Sequence, residues 1–117
     1  MLTGAGIIHL APLKKLETLI LGRTQIGDSE LAGLRSLDSL IELDLDGTAI
    51  GDAGVADLTG LPNLLKLDLR RTRVTDAGLA HLKRSASLRY VYLYGTAVTD
   101  EAVADLQREM PAAKILK

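Results

Sequence analysis

The chain has no cysteine, no tryptophan and no phenylalanine among its 117 residues. The lack of cysteine rules out disulfides, thiolate metal sites and a thiol nucleophile. Without the two large aromatics, a chain that is still 47% hydrophobic has to build an aliphatic core. Charge of one sign is also missing. Lys and Arg number 14 against 15 Asp and Glu, a formal net charge of -1. No broad positive field is available to hold a nucleic acid. No apolar run approaches the ~18 residues that span a bilayer, so no membrane partner is expected. The segment Met1 to Lys15 has no basic residue ahead of its apolar part and is interrupted by Gly4, Gly6, His9 and Pro12. It does not read as a signal peptide, which favours a cytoplasmic setting.

What the chain has instead is repetition. With Leu16, Leu40, Leu64 and Leu88 at position one of a 24-residue register, position four reads Leu19, Leu43, Leu67, Val91. Position six reads Leu21, Leu45, Leu69, Leu93, and position nine reads Thr24, Thr48, Thr72, Thr96. Position eleven holds Ile26, Ile50, Val74, Val98; position thirteen holds Asp28, Asp52, Asp76, Asp100; position seventeen holds Ala32, Ala56, Ala80, Ala104. A fixed period with no insertion marks a solenoid. The expected organisation is one domain over 1–117, with a partial repeat at 1–15, four full repeats at 16–111 and a capping strand at 112–117.

Each repeat has two halves. Leu67-Asp68-Leu69 alternates apolar and polar, the period of a half-buried strand. Asp76 to Leu82 carries apolar residues at Leu79, Ala80 and Leu82, which suits two helical turns with one face inward. Thr75 or Asp76 can cap that helix, and Asp52 and Asp28 are expected to do so where Gly51 and Gly27 precede them. The Ala column is expected to let successive helices approach closely. A strand, a short helix and a return of constant length cannot form hairpins, so the strands stack in parallel, roughly 4.8 Å apart. Their crossovers should be right-handed. The fold class is therefore α/β, a solenoid with strands on the concave face and short helices on the convex face.

The pattern LxxLxLxxTxIxDxGLAxL resembles the leucine-rich repeat family, specifically its 24-residue bacterial-type repeats. Repeat three displays it in Leu64, Leu67, Leu69, Thr72, Val74, Thr75, Asp76, Gly78, Leu79 and Leu82. The resemblance covers almost the whole chain and implies the scaffold; it names no ligand. The family usually has Asn or Cys at position nine, where this chain has Thr. The Thr column is thus expected to be buried and bonded to loop backbone, with Thr72→Val costing about 1–3 kcal/mol.

Function is sought where the repeats differ. The outward strand residues are Thr18, Ile20 and Gly22, then Glu42, Asp44 and Asp46, then Lys66, Asp68 and Arg70, then Tyr90, Tyr92 and Tyr94. All three aromatics of the chain fall on the last strand. Tyr is enriched in binding hot spots, though it is also a good strand former. Glu42 is expected to pair with Lys66 and Asp46 with Arg70 across strands, leaving Asp44 beside Asp68. Two acids about 5 Å apart match a retaining-glycosidase spacing, but an open strand face offers no enclosure to raise one pKa. His9 and His81 share a column three repeats apart, about 15 Å at the strand spacing, too far for one metal. Arg23, Arg70, Arg71 and Arg73 form a basic edge near the strand exits, suited to an anion or an acidic peptide.

The reading is a protein-interaction module, not an enzyme, without metal or cofactor. It binds a protein or peptide through Glu42, Asp44, Asp46, Lys66, Asp68, Arg70, Tyr90, Tyr92 and Tyr94. The alternative is a structural spacer with no ligand of its own. A standard interface uses about 20–30 residues a side, and this face offers about a dozen, so only a small epitope fits on it. Weak self-association through the uncharged Leu19-Ile20-Leu21 edge is expected if the N-terminal half-repeat leaves it bare.

Overall fold

A computed structural model describes residues 15–117. The expected half-repeat over 1–15, with His9, therefore lies outside the described residues except for Lys15, and so does any cover it gives the first strand.

Five strands form one parallel sheet in chain order: β1 (Thr18–Ile20), β2 (Glu42–Asp44), β3 (Lys66–Asp68), β4 (Tyr90–Tyr92) and β5 (Lys114–Leu116). The register follows the sequence period, with Thr18 opposite Glu42, Glu42 opposite Lys66, Lys66 opposite Tyr90 and Tyr90 opposite Lys114. The central residue of each strand points into the core, and Leu43, Leu67 and Val91 are wholly buried. The helices are α1 (Asp28–Leu31), α2 (Asp52–Leu58), α3 (Asp76–Leu82) and α4 (Asp100–Glu109). The first is short and continues as a 3-10 turn over Ala32–Leu34. Gly33 stands there, a weak helix former in mid-helix.

Each of the first four strands leaves the sheet through the same tight turn. The hydroxyls of Thr24, Thr48, Thr72 and Thr96 donate to the carbonyls of Leu21, Leu45, Leu69 and Leu93 at 2.8, 2.8, 2.8 and 2.7 Å. Thr48 and Thr72 are buried, while Thr24 and Thr96 are half-buried. The Thr column therefore serves backbone, as expected, but within its own repeat. Thr72→Val keeps the shape and removes the donor, so unfolding in urea should show a loss of about 1–2 kcal/mol. A neutral result would mean that the column contributes packing alone.

The residue before each Thr takes positive φ: 60° at Arg23, 72° at Gly47, 54° at Arg71 and 77° at Gly95. Repeats two and four meet this demand with glycine. Repeats one and three put arginine there, at a cost of about 1 kcal/mol each.

Besides the backbone bonds of the sheet, a ladder of side-chain bonds between repeats comes from the Asp column. Asp28 Oδ1 accepts the Gly51 N–H at 2.6 Å. Asp52 accepts both the N–H and the hydroxyl of Thr75, at 2.8 and 2.6 Å. Asp76 does the same for Thr99, at 2.8 and 2.9 Å. At the C-terminal end Asp100 accepts from Lys117 Nζ at 2.6 Å. That bond holds its carboxyl below the usual carboxylate range.

Two expectations are corrected here. Asp28 and Asp52 do not cap their helices: the capping positions are Gly27 and Gly51, and the carboxylates reach the next repeat instead. Thr75 and Thr99 do cap, accepting from Ala77 and Ala102. A tight contact between repeats also falls two positions earlier than the Ala column. A Cβ built on Gly54 or Gly78 would lie 2.5 Å from Asp28 Oδ1 or Asp52 Oδ1, whereas Ala80 and Ala104 are exposed.

Candidate functional site

The strand face carries the residues that distinguish one repeat from another. Strand alternation sends Glu42 and Asp44 outward from β2, Lys66 and Asp68 from β3, and Tyr90 and Tyr92 from β4. Asp46, Arg70 and Tyr94 follow at the first turn position after each strand. All nine residues expected at the site therefore come together, but they are not equally available.

Asp46 and Asp68 are buried, 9% and 8% exposed. Arg70 lies over Asp68, with Nε 2.9 and 3.0 Å from its two oxygens and Nη2 2.7 Å from Oδ2. These bonds keep the Arg70 guanidinium more firmly protonated than usual. Arg70 reaches Asp46 only at 3.9 Å. The expected cross-strand pair is thus secondary, because the bidentate contact within repeat three is shorter. Asp46 is taken by Arg71 instead, Nη2 to Oδ2 at 2.5 Å. Asp44 Oδ1 accepts the Asp46 N–H at 2.9 Å and Asp68 Oδ1 accepts the Arg70 N–H at 3.0 Å, so each carboxylate also ties its strand to its turn. Asp44 and Asp68 remain opposite each other. Arg70 offsets that like-charge contact.

Lys66 is the hinge between the acidic and the aromatic rows. Its Nζ is 3.8 Å from Glu42, the cross-strand pair expected. It also stands 5.9 Å from the ring centres of both Tyr90 and Tyr92. That is within cation–π range. Tyr90 and Tyr94 are 37% and 63% exposed, and Tyr92 is half-buried. A depression of about 210 Å³ opens between the rows, lined by Glu42, Asp44, Lys66, Asp68, Arg70 and Tyr92 with Leu43 beneath. On either side of these rows the face carries an exposed apolar residue, Ile20 at 67% exposure and Leu116 at 46%.

Among the described residues no group of His, Asp or Glu is arranged to hold a metal. His81 is partly exposed on α3. Sequence reasoning missed the Arg71–Asp46 bond and the rungs from Asp28, Asp52 and Asp76. The signal for the rungs was there: an Asp in one repeat and a Gly or Thr 23 residues later in the next.

A parallel sheet of equally short strands, the first four each followed by the same turn and a short helix, is an α/β repeat solenoid. A leucine-rich repeat family model matches residues 34–58 and 60–82, so the central part of the chain consists of leucine-rich repeats. Among solved structures it resembles leiomodin-1 actin-binding site 2, with TM-score 0.74 and 11% identity over 94% of this chain and 76% of that one. It also resembles an internalin from Listeria monocytogenes, with TM-score 0.57 and 20% identity over 94% of this chain and 37% of that one. At those identities the likeness is one of fold. No curated protein matches the chain in sequence.

Proposed function

We propose that the chain is a single-domain protein-interaction module that binds a protein or peptide through its concave strand face. The carrying observation is the Tyr90, Tyr92 and Tyr94 row, the only aromatics of the chain, set against Lys66 at the rim of the depression. Rigid aromatic area beside a half-desolvated charge is the composition of a binding hot spot. The contact residues are Tyr90, Tyr92, Tyr94, Lys66, Arg70, Glu42 and Asp44, with Asp46 and Asp68 holding the arginines in place. The similar leiomodin-1 segment is named an actin-binding site, which supports a protein as the class of ligand. No chemical step is assigned to the Asp44 and Asp68 pair. One side is tied to backbone, the other to Arg70, and the face is open.

The test is quantitative capture of partners by the wild-type chain and by Tyr92→Ala, each first shown folded by circular dichroism. Loss of the anchor should weaken the captured complex roughly ten- to thirtyfold. Equal capture by both proteins would leave a structural spacer as the better reading.

A further inference from the structure

A second surface lies off the strand face, along the loops that follow the strands. The residues flanking the Thr column alternate in size from repeat to repeat. Repeat one has Arg23 and Gln25, repeat two Gly47 and Ala49, repeat three Arg71 and Arg73, repeat four Gly95 and Ala97. The repeat-two pair has almost no side chain and sits between two walls. The result is an open groove of about 540 Å³, with Gly47 and Ala49 on its floor, Gln25 on one side and Arg71 and Arg73 on the other. The Arg23 side chain also packs against Gly47, since a Cβ there would meet its Cγ at 3.3 Å.

The charge of this groove is one-sided. Among the described residues no acidic side chain lines it. Arg71 already has Asp46, but Arg73 is exposed and has no ion-pair partner among the described residues. Arginine also occupies two of the four positive-φ positions, where glycine would relieve the strain. Strain of this kind persists where the side chain has work to do. At Arg71 the bond to Asp46 meets that need. Arg73 carries no such structural duty.

We infer that this loop groove is an interaction surface for an acidic segment of a protein partner, distinct from the strand face. Its carboxylate pairs with Arg73, in the fork geometry that guanidinium offers to carboxylate. The backbone of the segment lies over Ala49, beside the Arg23 stem that packs on Gly47, and the Gln25 amide can both donate to it and accept from it. The Glu42 and Asp44 row on the adjoining face repels a long polyanion. A nucleic acid is therefore a poorer occupant than a peptide with one or two carboxylates.

The experiment uses the whole chain and a fluorescein-labelled, C-terminally amidated Gly-Ser octapeptide with two central glutamates, followed by fluorescence anisotropy at low salt. Amide chemical shifts of the ¹⁵N-labelled protein locate the contact. Saturable binding is expected, with shifts concentrated at Gly47, Ala49 and Arg73. Arg73→Ala should weaken binding roughly five- to tenfold, the effect of losing one charge-assisted contact at an exposed site. Lys83→Ala, a cation on the helix side, should change it less than about twofold. Arg73 bonds no side chain, so its removal does not threaten the fold. The inference is overturned by any of four results: no saturable binding, an equal loss with Lys83→Ala, shifts centred on Tyr90 to Tyr94, or tighter binding of an eight-nucleotide oligothymidylate than of the peptide. Displacement of the peptide by inorganic phosphate at equal concentration would also overturn it, by showing a simple anion site.

Discussion

Gly78→Ala is expected to destabilise the domain by about 2–3 kcal/mol, although helix propensity alone favours Ala over Gly by about 1 kcal/mol. Gly78 is buried in α3. A Cβ on it would lie 2.5 Å from Asp52 Oδ1 and 2.8 Å from Val74 Cγ1. Neither neighbour can yield cheaply. Asp52 is held by two bonds from Thr75, and Val74 is fully buried and stiff at χ1. The added methyl must therefore push repeat three away from repeat two or break the Asp52 rung. Overpacking costs about 1–3 kcal/mol, and the weakened rung adds to it. In a chain of this length the midpoint of thermal unfolding should fall by roughly 8–12 °C. Gly60→Ala is the control, since a Cβ there meets nothing within 4 Å. A stabilised Gly78→Ala would show that the helices have room to separate, and that the Asp-x-Gly spacing is not a steric lock.

That lock marks the boundary of what could be read from residues alone. The strands were legible because position four is apolar in every repeat and, Ile20 and the Tyr row apart, its neighbours are polar, the period of a half-buried strand. The Tyr row was legible for the same reason: once Val91 is inside, Tyr90 and Tyr92 must be outside. The Asp column was visible but its role was not. A carboxylate at the start of a helix looks the same whether it caps that helix or reaches 23 residues along to the next turn. Only the stacking distance between repeats decides. Asp46 and Asp68 were misjudged as displayed for a related reason. Alternation gives the direction of a side chain but not what covers it, and here the long stems of Arg70 and Arg71 fold down over them. The positive φ at Arg23 and Arg71 was hidden because arginine gives no local sign of it. The glycines at 47 and 95 in the same column were the available clue.

Leu67→Ala should have the largest effect of any single truncation, about 3–4 kcal/mol. Leu67 is fully buried at the centre of the middle strand, with Leu43 opposite it on one side and Val91 on the other. The cavity opens where the backbone is pinned from both neighbours, so little collapse can fill it. Ile115 makes the contrast. It occupies the same position in β5, 9% exposed and with only Val91 beside it, so Ile115→Ala should cost about 1–2 kcal/mol. In a solenoid each repeat touches only its neighbours, and a weak link in the middle uncouples the two ends. Urea unfolding followed by circular dichroism should therefore show a lower midpoint for both variants. Hydrogen exchange should show lost protection in β2, β3 and β4 together for Leu67→Ala, but only in β4 and β5 for Ile115→Ala. Comparable losses in the two would mean that the array unfolds as one unit however its repeats are joined. The stakes reach the strand face, because Lys66 and Asp68 flank Leu67 on the same three-residue strand. A partner that needs Lys66, Arg70 and the Tyr row in one rigid array should lose affinity for Leu67→Ala, even though Leu67 itself never meets solvent.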